Sequence, residues 1–186
     1  MPTATFLLAT ERTVLLPFRD ADHAELLALF RDPEVRVSLL DDVLVTPAWM
    51  EAEIEASQRR FARFGTGLWA VRRRNASGIV GFAGFREFFD PPELQLLYGL
   101  LPSCRGLGLA GEVTAAVCAF AFDELARDSV SATVDAPNRA SVRVLERLGM
   151  SCDGREPDGA LHFTVDRDTW AGRTRPGAAA AEAATN

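Results

Sequence analysis

Cysteine is scarce in this chain: Cys104, Cys118 and Cys152 are the only three among 186 residues. An odd number at irregular spacing excludes a disulfide framework and suits free thiols in a reducing cytoplasm. Histidine is scarcer, with only His23 and His162, far apart in sequence. No Cys/His cluster has ligand spacing, so no metal is expected. Positive charge is in deficit, the formal net charge being −6. That balance disfavours nucleic acid as a direct partner and attracts cationic molecules such as amines. No uncharged apolar run approaches the roughly 20 residues that span a bilayer, and no basic stretch precedes an apolar one at the N-terminus. The expectation is a soluble, cytoplasmic protein with no membrane partner. Internal repeats are absent too.

What the chain has is enough apolar content, 48% hydrophobic, for one well-filled domain. Arg12 to Phe18 reads as a strand. Asp20 is placed to cap a helix through about Phe30, which Asp32-Pro33 ends. Thr46-Pro47 is a cap followed by a first-turn proline, opening a helix with the stripe Met50, Ile54, Phe61 and Phe64. Gly67 to Arg73 and Gly78 to Arg86 read as strands joined by the turn Asn75 to Gly78. Glu93 to Leu101 is the next strand, bounded by Pro91-Pro92 and Pro102. An apolar helix then reaches about Arg127, carrying Val113, Val117, Phe120 and Phe122. Val130 to Val134 is a strand and Asn138 to Leu148 a short helix. Ser151 to Asp153 and Leu161 to Asp166 complete a sheet. Antiparallel hairpins followed by one β-α-β-α passage predict an α/β (mixed α+β) fold. Its sheet is mixed and mostly antiparallel, flanked by about four helices. The domain is expected to span residues 1–170. The Ala- and Gly-rich tail 171–186 lacks a large apolar anchor and is expected to be disordered.

The most informative stretch is Arg105-Gly106-Leu107-Gly108-Leu109-Ala110-Gly111. A strand that breaks into glycines and enters a helix aims unpaired N–H groups, and the positive end of the helix dipole, at one point. That suits a diphosphate, which Gly106 and Gly108 let the backbone approach without a Cβ in the way. The glycines are equally compatible with mere tight packing of helix on sheet. Gly106-x-Gly108-x-x-Gly111 also satisfies the dinucleotide-binding spelling, with Asp135 near the spacing of a ribose-binding acid. Its place after half the chain argues against that reading, because a doubly wound sheet needs several βαβ units after the fingerprint. No Gly-Lys-Ser or Gly-Lys-Thr closes the turn, which excludes a P-loop.

Arg-x-x-Gly-x-Ala after a strand, then Asn138-Arg139-Ala140-Ser141 and Leu148-Gly149-Met150, resembles the GCN5-related N-acetyltransferase (GNAT) family. Leu8-Ala9-Thr10-Glu11-Arg12, Asp20-Ala21-Asp22, Asp32-Pro33-Glu34-Val35 and Asp166-Arg167-Asp168-Thr169-Trp170 resemble its RimJ/RimL-like branch, the ribosomal-protein alanine N-acetyltransferases. The resemblance covers most of the chain, and the order and spacing of the motifs carry it. It implies a GNAT-like single domain that transfers acetyl from acetyl-CoA, as co-substrate, directly to an amine. It further implies that Arg105 through Gly111 hold the donor and that its pantetheine arm runs beside Tyr98 to Leu101, including Leu100.

The acceptor implied is a small-molecule amine or a protein N-terminus, and a homodimer is compatible with the family. Many relatives carry a carboxylate where this chain has Gln95, which cannot take a proton. Glu93, two positions away on the same face, is the candidate base, or else a solvated residue opening the strand. The position of the family's proton-donating tyrosine falls on Leu145. Ser141 is the candidate group at the CoA sulfur or pantetheine, or else a first-turn side chain satisfying a free N–H. Asn138 contacts pantetheine, caps the helix, or does both. The single tyrosine, Tyr98, alternates with Leu94 and Leu96 and reads as core. Cys104 lacks a nearby histidine to make it a nucleophile. The competing reading is a CoA-binding sensor or scaffold without catalysis.

Overall fold

A computed structural model describes residues 6–40, 42–88 and 93–174. They pack as two compact units, one running to Val117 and the other starting at Cys118, so the boundary falls inside a helix. The first unit holds β1 (Leu8–Ala9), β2 (Thr13–Pro17), β3 (Leu68–Arg73), β4 (Ile79–Phe88) and β5 (Glu93–Leu100), each antiparallel to the next. Its helices are α1 (His23–Arg31), α2 (Pro33–Leu39), α3 (Pro47–Phe64) and the start of α4 (Leu109–Asp123). The second unit holds the rest of α4, then β6 (Ser129–Val134), α5 (Arg139–Arg147), β7 (Ser151–Arg155), β8 (Leu161–Asp166) and α6 (Arg167–Thr174). There β8 pairs antiparallel with both β6 and β7. The α/β architecture and its mostly antiparallel pairing are as expected from sequence.

Local chemistry explains most boundaries. Thr46 accepts a hydrogen bond from the Trp49 N–H at 3.1 Å, with Pro47 at the first helical position. Gly65, at φ 70°, ends α3 in the left-handed region that glycine enters without strain. Met50, Ile54 and Phe61 are buried as their spacing predicts, but Phe64 is 50% exposed. Its ring lies instead against the guanidinium groups of Arg60 and Arg63. The expected cap at Asp20 is not formed: a 3-10 turn, Asp20–Asp22, precedes α1, and Asp20 accepts from Gln58. Asp22 is buried and held by Arg19 and Arg72 at 2.8 and 2.9 Å. Burial raises its carboxyl, but hydrogen bonds from the two arginines outweigh this and hold it below its ordinary value.

Two helices go beyond the four expected. Asp32-Pro33 does end α1, but Asp32 also caps α2, accepting from the Glu34 and Val35 N–H groups. The helix α6 carries the chain through Thr174, four residues past the expected domain end at Trp170. The remaining tail, 175–186, lies outside the described residues, as do Phe89 and Pro91-Pro92.

Each unit has its own core. In the first, Phe18, Leu26, Leu29, Phe30, Met50, Ile54 and Phe82 cluster between helices and sheet. Phe30 stacks on Phe82 with ring centroids 4.7 Å apart. In the second, Phe122 stacks on Trp170 at 5.5 Å. Val130, Ala132, Leu145, Phe163 and Val165 are buried alongside. Removing an aromatic ring from either cluster would cost about 3–5 kcal/mol, because the cavity left behind closes only partly.

Candidate functional site

The glycine stretch follows directly from the end of β5. The Leu101 N–H still bonds the Val80 carbonyl at 2.9 Å, so pairing with β4 continues one residue past the strand. Pro102–Cys104 form a 3-10 turn. The backbone then enters the left-handed region twice, at Gly106 (φ 73°) and Gly108 (φ 75°). A side chain at either position would be strained by roughly 1–2 kcal/mol. Nothing lies within 4 Å of where a Cβ at Gly106 or Gly111 would stand, so the loop faces open space. The helix begins at Leu109, whose side chain is buried and anchors the loop from below. The Glu112 N–H bonds the Gly108 carbonyl at 3.2 Å. The N–H groups of Leu109, Ala110 and Gly111 precede that first helical bond and have no carbonyl four residues back to reach.

One side chain from the β1–β2 turn braces this loop. Arg12 donates from Nη1 to the Leu107 carbonyl at 2.7 Å and from Nε to Glu112 Oε2 at 2.6 Å. Its backbone N–H bonds Glu112 Oε1 at 2.9 Å, and Thr10 donates to the same oxygen. In a trans peptide the carbonyl and the next N–H point oppositely. Drawing the Leu107 carbonyl toward Arg12 therefore turns the Gly108 N–H away from Arg12. Burial raises the Glu112 carboxyl, but bonds from Thr10 and Arg12 more than offset it and hold it below its ordinary value. Glu112 is thus an anion already neutralised by an adjacent cation. Arg105 extends its exposed guanidinium to Glu34 of α2 at 2.7 Å. Sequence reading assigned Arg12 and Glu112 no role, although an acid in the first turn of a helix expected to bind an anion was a signal that something must offset it.

Alternation along β5 is as expected, but burial is not. Glu93, Gln95, Leu97 and Gly99 stand opposite Phe88, Arg86, Gly84 and Phe82 of β4. This is the face covered by the helices, since Phe82 stacks on Phe30. Gln95 is only 2% exposed, and its Nε2 has no hydrogen-bond partner among the described residues. Tyr98, read as core, is half-buried. Glu93 is half-buried at the start of β5, about 23 Å along the strand from Leu100 at some 3.3 Å per residue. Leu100, Leu101 and Arg105 to Gly111 are therefore brought together at one end of β5, and Glu93 stands at the other.

Asn138 and Ser141 belong to the second unit. Asn138 caps α5, its Oδ1 accepting from the Ser141 N–H at 3.1 Å, so its capping role is realised. Both side chains are half-buried. Leu145 is 1% exposed and part of that unit's core. His162 bonds Asp153 at 2.7 Å, and Thr164 donates to the same carboxylate. All three cysteines are free, with Cys104 and Cys118 buried and Cys152 exposed. Burial pushes the Cys118 thiol up to about 12. Among the described residues no helix is long and apolar enough to cross a membrane. No group of three or more His, Cys, Asp or Glu side chains is arranged to hold a metal ion among them.

Comparison with known proteins places this arrangement. Residues 12–151 match the family model described as acetyltransferase (GNAT) domain. The uncharacterized protein YkkB of Bacillus subtilis is 29% identical over 148 residues, covering 77% of this chain and 84% of YkkB. An acetyltransferase structure from Agrobacterium tumefaciens superposes with a TM-score of 0.75 at 22% identity, over 87% of this chain and 94% of that one. The aminoglycoside acetyltransferase AAC(6')-Ib, solved with paromomycin and acetyl-CoA, gives a TM-score of 0.73 at 17% identity, over 90% and 99% of the two chains.

Proposed function

The chain belongs to the acetyltransferase (GNAT) domain family, and on that premise we propose that it transfers acetyl from acetyl-CoA to a primary amine by direct attack. The loop carries this reading. Two left-handed glycines, open space in front of Gly106 and Gly111, and three N–H groups at the start of α4 make a cradle suited to a diphosphate. Arg12 keeps the Glu112 carboxylate from opposing that charge. When bound, acetyl-CoA supplies a thioester carbonyl carbon open to attack by an amine. Arg105 to Gly111 hold the diphosphate end, and Leu100 and Leu101 flank the arm that leads from it. Glu93 takes the proton of the attacking amine, directly or through a water. Asn138, through its cap, fixes the first turn of α5, from which Ser141 donates to the departing sulfur. The acceptor is a small-molecule amine or a protein N-terminal α-amine, the latter being the acceptor of the RimJ/RimL-like branch. Net charge −6 favours a cationic acceptor of either kind. Three free thiols fit a cytoplasmic setting.

The test is calorimetric titration with CoA, followed by thiol release from acetyl-CoA with panels of amines and N-terminal peptides. Micromolar CoA binding with amine-dependent thiol release is expected. Absence of CoA binding overturns the reading. Binding with no release under any amine favours the sensor module, to which Leu145 and Gln95 already lend support by being unable to exchange protons. With a turned-over amine in hand, Glu93→Gln should alter the pH–rate profile and Ser141→Ala should lower kcat; an unchanged value removes that residue from the mechanism.

A further inference from the structure

The helix-covered face of β4 and β5 holds a polar cluster that the donor site does not use. Glu53 of α3 points onto this face, with its side chain only 11% exposed. Its ion-pair partner among the described residues is Arg86 of β4, at 3.2 Å. The Arg86 guanidinium also lies over the rings of Trp49 and Phe88, at 5.8 and 5.6 Å from their centroids. Directly across the strand pair from Arg86 is Gln95. Directly opposed residues of an antiparallel pair share a face, so Gln95 and Arg86 are neighbours on the face onto which Glu53 points. Glu93 is on this face as well, two residues along β5.

Two features of the cluster are unbalanced. Burial pushes the Glu53 carboxyl above its ordinary value, and the charge of Arg86 only partly offsets that. The buried carboxylate is under-compensated, and a proton or a second cation beside it would make up the balance. Gln95 is nine-tenths buried or better and its Nε2 donates to nothing among the described residues. A buried N–H without an acceptor is costly and rare, and calls for an oxygen. A purely structural ion pair would account for Arg86 but not for the unanswered amide beside it.

Resting on the transferase reading above, we propose that Glu53 receives the ammonium of the acceptor and that the Gln95 amide takes an oxygen of the same molecule. The ligand class is a primary ammonium bearing a nearby carbonyl or hydroxyl, as in an amino-acid amide or an amino alcohol. Trp49 and Phe88 supply aromatic walls beside the charge, where a cation is also favoured. Arg86 holds Glu53 in place and gives up part of it when the ammonium arrives.

The experiment compares wild type, Glu53→Gln, Glu53→Asp and Gln95→Leu. The probes are alaninamide (ammonium and carbonyl), 2-aminoethanol (ammonium and hydroxyl) and n-propylamine (ammonium alone). Wild type should prefer one of the oxygen-bearing probes to n-propylamine by about tenfold in kcat/KM, and the better of the two identifies the oxygen. Glu53→Gln should raise the KM for that probe about tenfold or more, with CoA affinity and the KM for acetyl-CoA unchanged and partial recovery in Glu53→Asp. Gln95→Leu should abolish the preference over n-propylamine, which keeps the proposal testable should the Glu53 variants fold poorly. Unchanged amine KM in Glu53→Gln, or an intact preference in Gln95→Leu, overturns the assignment. Wild type that binds CoA and acetylates only n-propylamine, or none of the three, overturns it while leaving the donor site standing. Wild type that fails to bind CoA overturns the transferase reading and this assignment with it.

Discussion

Replacing Arg12 by methionine keeps the stem of the side chain and removes its head. Two contacts disappear, the 2.7 Å bond to the Leu107 carbonyl and the 2.6 Å pair with Glu112. Arg12 is 45% exposed, so water screens the pair and its net worth to folding is at most about 1 kcal/mol. Global stability should therefore fall by about that much or less. The effect on CoA is larger for two reasons. Among the described residues Glu112 keeps only the residue-12 backbone N–H and Thr10 as partners, leaving a carboxylate in the first turn of the helix proposed to receive the diphosphate. The Leu107 carbonyl is also released, and with it the orientation of the Gly108 N–H. A lost charge-assisted bond plus an uncompensated anion together suggest about 1.5–3 kcal/mol, or roughly 10- to 150-fold in Kd. Isothermal titration of CoA into the folded variant measures this directly. Glu112→Gln in the Arg12→Met background should recover part of the loss, since it removes the repulsion, and the cycle isolates the coupling. An Arg12→Met protein that binds CoA like wild type would refute the bracing role.

Other outcomes follow from the same packing. Arg72→Met leaves the buried Asp22 with only Arg19, and by the usual penalty for a half-broken buried pair it should destabilise the protein by about 3 kcal/mol in urea unfolding. Because the Asp22 carboxyl is lowered in the folded state, its contribution is complete above its ordinary value of 3.8. It is lost as pH falls through the lowered folded value; wild type should therefore lose more stability than Asp22→Asn between pH 5 and acid. A thiol reagent at pH 8 should label Cys152 in the native protein at once. Cys118, buried and pushed up to about 12, should label only on unfolding. Prompt native labelling of a second thiol would contradict the burial described.

Elements governed by neighbours in sequence were legible in advance. Thr46-Pro47 caps α3, Asn138 caps α5, and Leu161–Asp166 is a strand, as expected. Errors came where two signals competed for one residue. Pro33 was read as a stop, which it is for α1, but it is also the first position of α2. Asp20 looked like a cap, yet Gln58 takes its carboxylate and α1 begins after Asp22. Phe64 continued an apolar stripe one step too far, because the chain turns at Gly65 and two arginines cover the ring. The burial of Gln95, at 2% exposure, is set by the helices that cover its face, which alternation along β5 does not encode.

By itself the sequence determined that this chain would break a strand into glycines and start a helix, since φ preferences and unpaired N–H groups are properties of a few adjacent residues. It also determined the caps and the apolar stripes, which depend on spacings of a few residues. Only the tertiary structure decided that Arg12 would reach Glu112, a hundred residues away, and that Glu53, Arg86 and Gln95 would share one face. Such meetings depend on strand register and on which helix covers which face. No short stretch of sequence encodes either one.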